Sequence, residues 1–315
     1  MALMAVMAVG LIACGTDKSD NESTKEEKSS VTITSLDASK NEIELEVPKK
    51  PKRIALLDLA SLDIIEELGV GDRVVGMAST SIDYLEKYSN DASIKNLGTI
   101  KEADLEAVME CEPDIIFIGG RLSKSYDALS EIAPVVYLAT DSNEGLVNSV
   151  SKNAKTIASI FGMEDKVDSL MSDFGARIDT IKKISSGKTA LVGMTTSGSF
   201  NLLGNDGRCS LIGVEAGFNN LTAAGSTSTH GNETSFETVV KQNPDYIFVM
   251  DRDSAISTAG AKNAKEIVEN ELVKTTDAYK NNHIIYLEHS NVWYTAEGGI
   301  QALDIMLTDL EKGLK

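Results

Sequence analysis

Histidine, cysteine and tryptophan are scarce in this chain: three, three and one among 315 residues. All three histidines, His230, His283 and His289, lie in the second half. That argues against a zinc or manganese site built by histidines converging from both halves. The cysteines, Cys14, Cys111 and Cys209, form no C-x-x-C pair, which removes zinc ribbons and thiol redox motifs. Positive charge is also short: 30 basic residues stand against 48 acidic ones, a net charge of −18. A field of that sign argues against nucleic acid as a partner and repels anions at long range. No G-x-S-x-G, P-loop, H-E-x-x-H or G-x-G-x-x-G occurs, so the chain reads as a non-enzyme with no intrinsic cofactor. After Ala13 no apolar run approaches the ~20 residues that a membrane-spanning helix needs.

What is present begins with an apolar stretch, Met1 to Ala13, of the length expected of the hydrophobic part of a signal peptide (residues 1–13). Leu11-Ile12-Ala13-Cys14-Gly15 resembles the lipobox of bacterial lipoproteins, in which the cysteine is lipidated and becomes the mature N-terminus. The polar segment GTDKSDNESTKEEKSS that follows cannot bury enough surface to fold, so residues 14–30 are expected to be a disordered tether. Two acyl chains on Cys14 would anchor the body stably at the extracytoplasmic face of a membrane, with the periplasm as the alternative location.

From Val31 to Val47 apolar and polar residues alternate as in a hairpin, ended by Pro48 and Pro51. Short apolar runs then alternate with helical periodicity: RIALLD, Ser61 to Leu68, Arg73 to Met77, DIIFIGG, Ser125 to Ile132 and VVYLA. This is the pattern of a parallel α/β lobe, expected over residues 31–162. Val167, Leu170, Met171, Phe174, Ile178 and Ile181 predict one long helix over 163–186, the longest in the chain. The α/β pattern restarts in 187–315 with ALVGMT, a helix near Leu211 to Ala216, YIFVMD, IIYL and a final helix from Gly298 to Leu314.

The two halves share a motif. Glu106, Pro113-Asp114 and Arg121 recur as Glu237, Pro244-Asp245 and Arg252, each separated by 131 positions. In each copy a glutamate starts a short helix, Pro-Asp turns the chain, apolar residues form a buried strand, and an arginine stands at its carboxyl end. That end is where ligands bind in open α/β sheets. Two such units face to face would set Arg121 and Arg252 on opposite sides of one cleft.

With Leu68 to Gly76 (LGVGDRVVG), the paired Glu…Pro-Asp units and the helix between the halves, the body resembles the periplasmic-binding-protein family that delivers metal chelates to ABC importers. The resemblance implies the class III architecture, two Rossmann-like lobes joined by a single long helix with the ligand between them. Within the family it is most similar to lipoproteins that bind ferric catecholate siderophores. It implies ligand-binding arginines at Arg121, Arg208 and Arg252, an iron-binding histidine and tyrosine at His230 and Tyr294, and permease-docking glutamates at Glu106 and Glu237; Trp293 is placed with the ligand-binding residues as cleft lining, with core as the alternative. It also implies a monomer whose partners are the chelate, the permease and the membrane.

The chemistry is coherent. A ferric catecholate is strongly anionic, and three guanidiniums would supply the planar donors and local charge that a chain of net −18 lacks elsewhere. A tetradentate siderophore leaves two positions on Fe(III), which an imidazole and a phenolate can fill. Haem or a cobamide is the alternative ligand for the same fold. His283 and His289 flank IIYLE and are expected at the surface.

Overall fold

Asp37 begins the turn of the first hairpin. Its carboxylate accepts the amides of Ser39 and Asn41, at 2.8 and 2.9 Å, and so fixes the chain reversal between β1 (Ser30–Leu36) and antiparallel β2 (Glu42–Pro48). The computed structural model describes residues 29–315 except Gly225, so Cys14, the signal segment and nearly all of the tether lie outside the described residues.

The first lobe follows. Its strands are β3 (Ile54–Leu57), β4 (Val74–Met77), β5 (Lys95–Asn96), β6 (Ile115–Ile118) and β7 (Val135–Tyr137), all parallel in the order β5-β4-β3-β6-β7. Every residue of β3 and β6 is buried, as a parallel strand covered on both faces requires. The helices are α1 (Leu59–Glu67), α2 (Glu86–Ser89), α3 (Leu105–Glu110) and α4 (Tyr126–Ser130). Strand order reverses between β3 and β6, so a crevice opens at their carboxyl ends, beside Asp58 and Gly119 to Arg121.

The connection between lobes departs from expectation. The helix expected over 163–186 is two helices, α6 (Glu164–Leu170) and α7 (Phe174–Ser185). The Ser172 hydroxyl donates to the Ser169 carbonyl at 2.8 Å, a local bond that competes with the helical ladder at the break. Among the described residues the longest helix is instead α5 (Leu146–Phe161), of 16 residues, closed by Gly162 in the left-handed region at φ 70. It packs on α1 and β1 of the first lobe as well as on elements of the second.

The second lobe holds β8 (Thr189–Thr196), β9 (Ser199–Leu202), α8 (Ser210–Gly213), β10 (Asn219–Asn220), β11 (Asn232–Glu233), α9 (Phe236–Gln242), β12 (Tyr246–Asp251), α10 (Arg252–Ala255), α11 (Ala264–Val268), α12 (Asp277–Lys280), β13 (Ile284–Tyr286), α13 (Ser290–Thr295) and α14 (Ile300–Gly313). Central β8 pairs in parallel with β12 and β10 and antiparallel with β9, through a two-residue turn at Ser197-Gly198 with φ 51 and 82. The repeat has a structural meaning. Asp114 accepts the amides of Lys52 and Arg53, at 2.7 and 2.9 Å, where the chain enters β3. Asp245 likewise accepts the amide and hydroxyl of Thr189, at 2.8 and 2.9 Å, at the start of β8. Each Pro-Asp aspartate thus sets the register of its strand against the central neighbour.

The lobes are pinned to each other by helix caps. Asp63 of α1 is fully buried and accepts the amides of Gln301 and Ala302, both at 2.9 Å, at the start of α14. Tyr84 donates to the same carboxylate at 2.6 Å. A Cβ on Gly299 would lie 2.4 Å from that carboxylate, so the approach needs glycine there. In the other direction Glu215, just past α8, accepts the amide of Val147 at the start of α5 at 3.1 Å. Arg177 of α7 ties α14 through Asp304 and Glu311 at 2.5 and 2.7 Å. Replacing Asp63 with Ala leaves three donors without their acceptor, and the expected loss is about 3 kcal/mol of unfolding free energy in a urea titration. An unchanged midpoint would show that the cap is dispensable.

Candidate ligand cleft

Between the lobes, at the carboxyl ends of β3, β6 and β7 on one side and against the turn after β9 and the end of α13 on the other, lies a cleft of about 450 Å³. That is the size of a small-molecule site. Arg121 enters from the tight turn Gly120–Ser125 after β6, Arg208 from the turn after β9, and Arg252 as the first residue of α10. All three converge on Tyr294 of α13. Their guanidinium carbons stand 5.5, 4.5 and 5.7 Å from the centre of its ring, for Arg121, Arg208 and Arg252 respectively.

Three cations around one ring repel, so each is held by its own acceptor. Arg121 donates to the Tyr294 carbonyl at 2.9 Å, a bond between lobes. Arg208 donates to the Thr229 carbonyl at 2.9 Å. Arg252 donates through Nε to the Tyr294 hydroxyl and through Nη1 to Thr196 and buried Asp253, all at 3.2 Å. The ring face adds cation–π attraction. Arg121, Arg208 and Tyr294 line the cavity, while Arg252 approaches from beside the phenol oxygen.

Burial works to raise the Tyr294 phenol. The hydrogen bond from Arg252 and the charges of Arg208, Arg252 and Lys101 outweigh it and hold the phenol below the ordinary tyrosine value. His230 is exposed at the edge of this group and does not line the cavity. Partial burial, then the charges of Arg252, Arg208, Lys101 and Arg121, hold its ring below the usual histidine value and so favour the neutral, metal-ligating form.

Trp293 is a correction. It does not line the cleft: it is fully buried, and its indole donates to Asp309 at 3.0 Å. Successive helical side chains point about 100° apart, so turning Tyr294 to the cleft turns Trp293 into the core. The two other histidines are partly buried and partnered rather than simply at the surface. His289 lies 2.7 Å from the Asp309 carboxylate, and His283 stacks on Tyr246 at 4.2 Å. Glu106 and Glu237 are exposed in the first turns of α3 and α9, and Leu105 and Met109 are exposed beside Glu106.

Several residues in and around the cleft escaped the sequence reading. Lys101 sits in an exposed turn of the first lobe whose amides bond to the Thr99 hydroxyl, and its charge reaches both His230 and Tyr294. Asp58, the cap of α1, and Glu297, past the end of α13, are carboxylates on the cleft wall. Thr227, Ser228 and Thr229 add hydroxyls, with Asp206 accepting the Thr227 amide at 2.8 Å. A lone lysine or acid in a polar stretch carries no sequence signal of its own.

Two doubly wound lobes with a basic cleft between them define a two-lobed ligand-binding protein. The chain belongs to the periplasmic binding protein family, whose model matches residues 54–290. This is a family of binding proteins, not of enzymes. Among its relatives is the petrobactin-binding protein YclQ of Bacillus subtilis (strain 168), 36% identical over 98% of this chain and 96% of its own length. The crystal structure of YclQ superposes with a TM-score of 0.84 over 91% of this chain and 99% of that one. The periplasmic catecholate-siderophore binding protein VctP of Vibrio cholerae superposes with a TM-score of 0.81 at 31% identity, over 90% of this chain and all of that one. A probable siderophore-binding lipoprotein of Bacillus subtilis (strain 168), YfiY, is 28% identical over 98% of this chain and 94% of its own length.

The cationic surroundings of Tyr294 predict that one phenol ionises ahead of the others. In an ultraviolet pH titration, Tyr294→Phe should remove the earliest step and Arg252→Ala should move it to higher pH. An unchanged first step in both variants would contradict the electrostatics described above.

Proposed function

We propose that this protein captures a ferric siderophore of the catecholate class and presents it to the permease of an ABC importer. The observation that carries the reading is the convergence of Arg121, Arg208 and Arg252 on Tyr294 in the cleft between the lobes. In a chain of net −18, such a local concentration of guanidinium charge serves an anionic ligand. Planar guanidiniums suit the paired oxygens and flat rings of catecholates. The names of the relatives YclQ and VctP, a petrobactin binder and a catecholate-siderophore binder, support the same ligand class.

In this reading the iron arrives as cargo inside its chelate. With a tetradentate siderophore, His230 and Tyr294 fill the two positions left open. The lowered phenol and the neutral imidazole both favour that step. Glu106 and Glu237, exposed at matched positions of the two lobes, meet basic residues of the permease. Cys14 carries the lipid that holds the protein at the outer face of the membrane, as the name of the relative YfiY as a lipoprotein supports.

Trp293 adjoins Tyr294, so quenching of its fluorescence reports binding. A ferric bis-catecholate is expected to quench at micromolar concentration, with haem and a cobamide as controls. Replacing Arg208 with Ala removes charge-assisted bonds worth about 2 kcal/mol, a loss of about thirtyfold in affinity. Stronger quenching by haem than by the catecholate would overturn the ligand assignment. For direct coordination, His230→Ala and Tyr294→Phe should each shift the visible charge-transfer band, and an unmoved band in both would exclude it. Glu106→Ala with Glu237→Ala should keep ligand affinity and lose iron uptake by cells.

A further inference from the structure

Siderophore capture as proposed leaves the carboxylate of Glu297 without a task. It lies in the turn between α13 and α14 and lines the same cleft as Arg121 and Arg208. Its Oε1 accepts the amide of Cys209 at 3.2 Å. Cys209 directly follows Arg208 and holds a left-handed backbone, φ 63, so this bond joins the turn carrying Arg208 to the segment carrying Tyr294. Among the described residues this is the one hydrogen bond of Glu297, which leaves its other oxygen open to solvent or a ligand.

An anion drawn in by the arginines meets this group at the cleft wall. As a carboxylate Glu297 repels it; as a neutral acid it donates a hydrogen bond to a ligand oxygen. The surroundings decide between the two. Burial is the largest influence and pushes Glu297 up to about 7. Arg208 and the Cys209 amide oppose that rise, the charge of Glu215 adds to it, and Arg121 opposes it. Asp58 brings a further carboxylate to the cleft from the first lobe. A bound anion adds more negative charge and raises the group again.

We propose that Glu297 is a specificity-determining residue that meets the bound anion as a neutral acid, so that capture of the chelate takes up a proton from solvent and release returns it. The proton attaches to the unpartnered carboxylate oxygen and is donated to an oxygen of the ligand. This inference rests on the anionic-chelate reading and adds to it a pH dependence located at one side chain. The sign follows from linkage. The empty site loses its proton as pH rises through about 7, whereas the filled site keeps it, so affinity falls above that pH.

The test is calorimetry of the wild-type chain with a ferric bis-catecholate, in buffers of different ionisation enthalpy. Near pH 7.5 we expect uptake of about half a proton or more, and affinity about tenfold weaker at pH 8 than at pH 6. Glu297→Gln keeps the acceptor for Cys209 and should bind without that uptake. The difference between the two proteins cancels protons exchanged by the chelate itself. Binding by the wild type without proton uptake, or an equal pH slope in Glu297→Gln, overturns this inference alone. Affinity that rises with pH overturns it in favour of a carboxylate that receives a cationic ligand group. No binding at any pH overturns the siderophore reading, and this inference with it.

Discussion

The fold hangs on a carboxylate that belongs to one lobe and completes a helix of the other. Asp63 of α1 caps α14 while Glu215 caps α5 from the opposite direction. A helix start leaves amides that must find acceptors, and here the acceptors are supplied across the interlobe boundary. Separating the lobes would strand those amides and bare a buried aspartate whose carboxyl its enclosure already raises to about 6. The lobes are therefore not free bodies on a tether. Their mutual position is part of the folded state, and the cleft between them exists before any ligand arrives.

A cleft held in this way can concentrate like charges. Arg121 comes from the first lobe and Arg208 and Arg252 from the second, and the bond from Arg121 to the Tyr294 carbonyl crosses between them. Repulsion among the three is offset by the Tyr294 ring, by backbone carbonyls and by Asp253. Because those contacts are already in place, little side-chain entropy remains to be lost on binding an anion. Tyr294 works as a hub, spacing the guanidiniums and bearing a phenol made more acidic by them. Asp58 and Glu297 add an acidic group to the cleft from each lobe, so the site offers a ligand more than positive charge.

Much of this was legible in one dimension. Fully apolar runs such as Ile115–Ile118 gave the parallel strands, and the 131-residue offset placed Arg121 and Arg252 at equivalent strand ends. Arg208 and Tyr294 followed from the family resemblance, and the three arginines meet around the Tyr294 ring, Arg252 from beside the cleft and not from its lining. Helices were read less fully. In α5 the buried positions Leu146, Val150, Ala154, Ile157 and Phe161 fall at helical spacing with polar residues on the opposite face, so this stripe was as legible as that at 163–186, although no helix was expected there. At 163–186 the stripe is clear, but Ser172 breaks the backbone beneath it. Lys101, Asp58 and Glu297 were not legible because their roles come from where turns of separate lobes meet. Trp293 was misplaced for the opposite reason, since a neighbour in sequence on a helix is not a neighbour in space.

The most direct measurement is the anomalous scattering of iron in crystals of the protein grown with a ferric catecholate. The iron peak is expected between the lobes, in the cleft bounded by Arg121, Arg208 and Tyr294, with the Asp63 cap on α14 intact. An iron peak outside the cleft, or a complex in which the lobes have rotated and broken that cap, would contradict a preformed anion site.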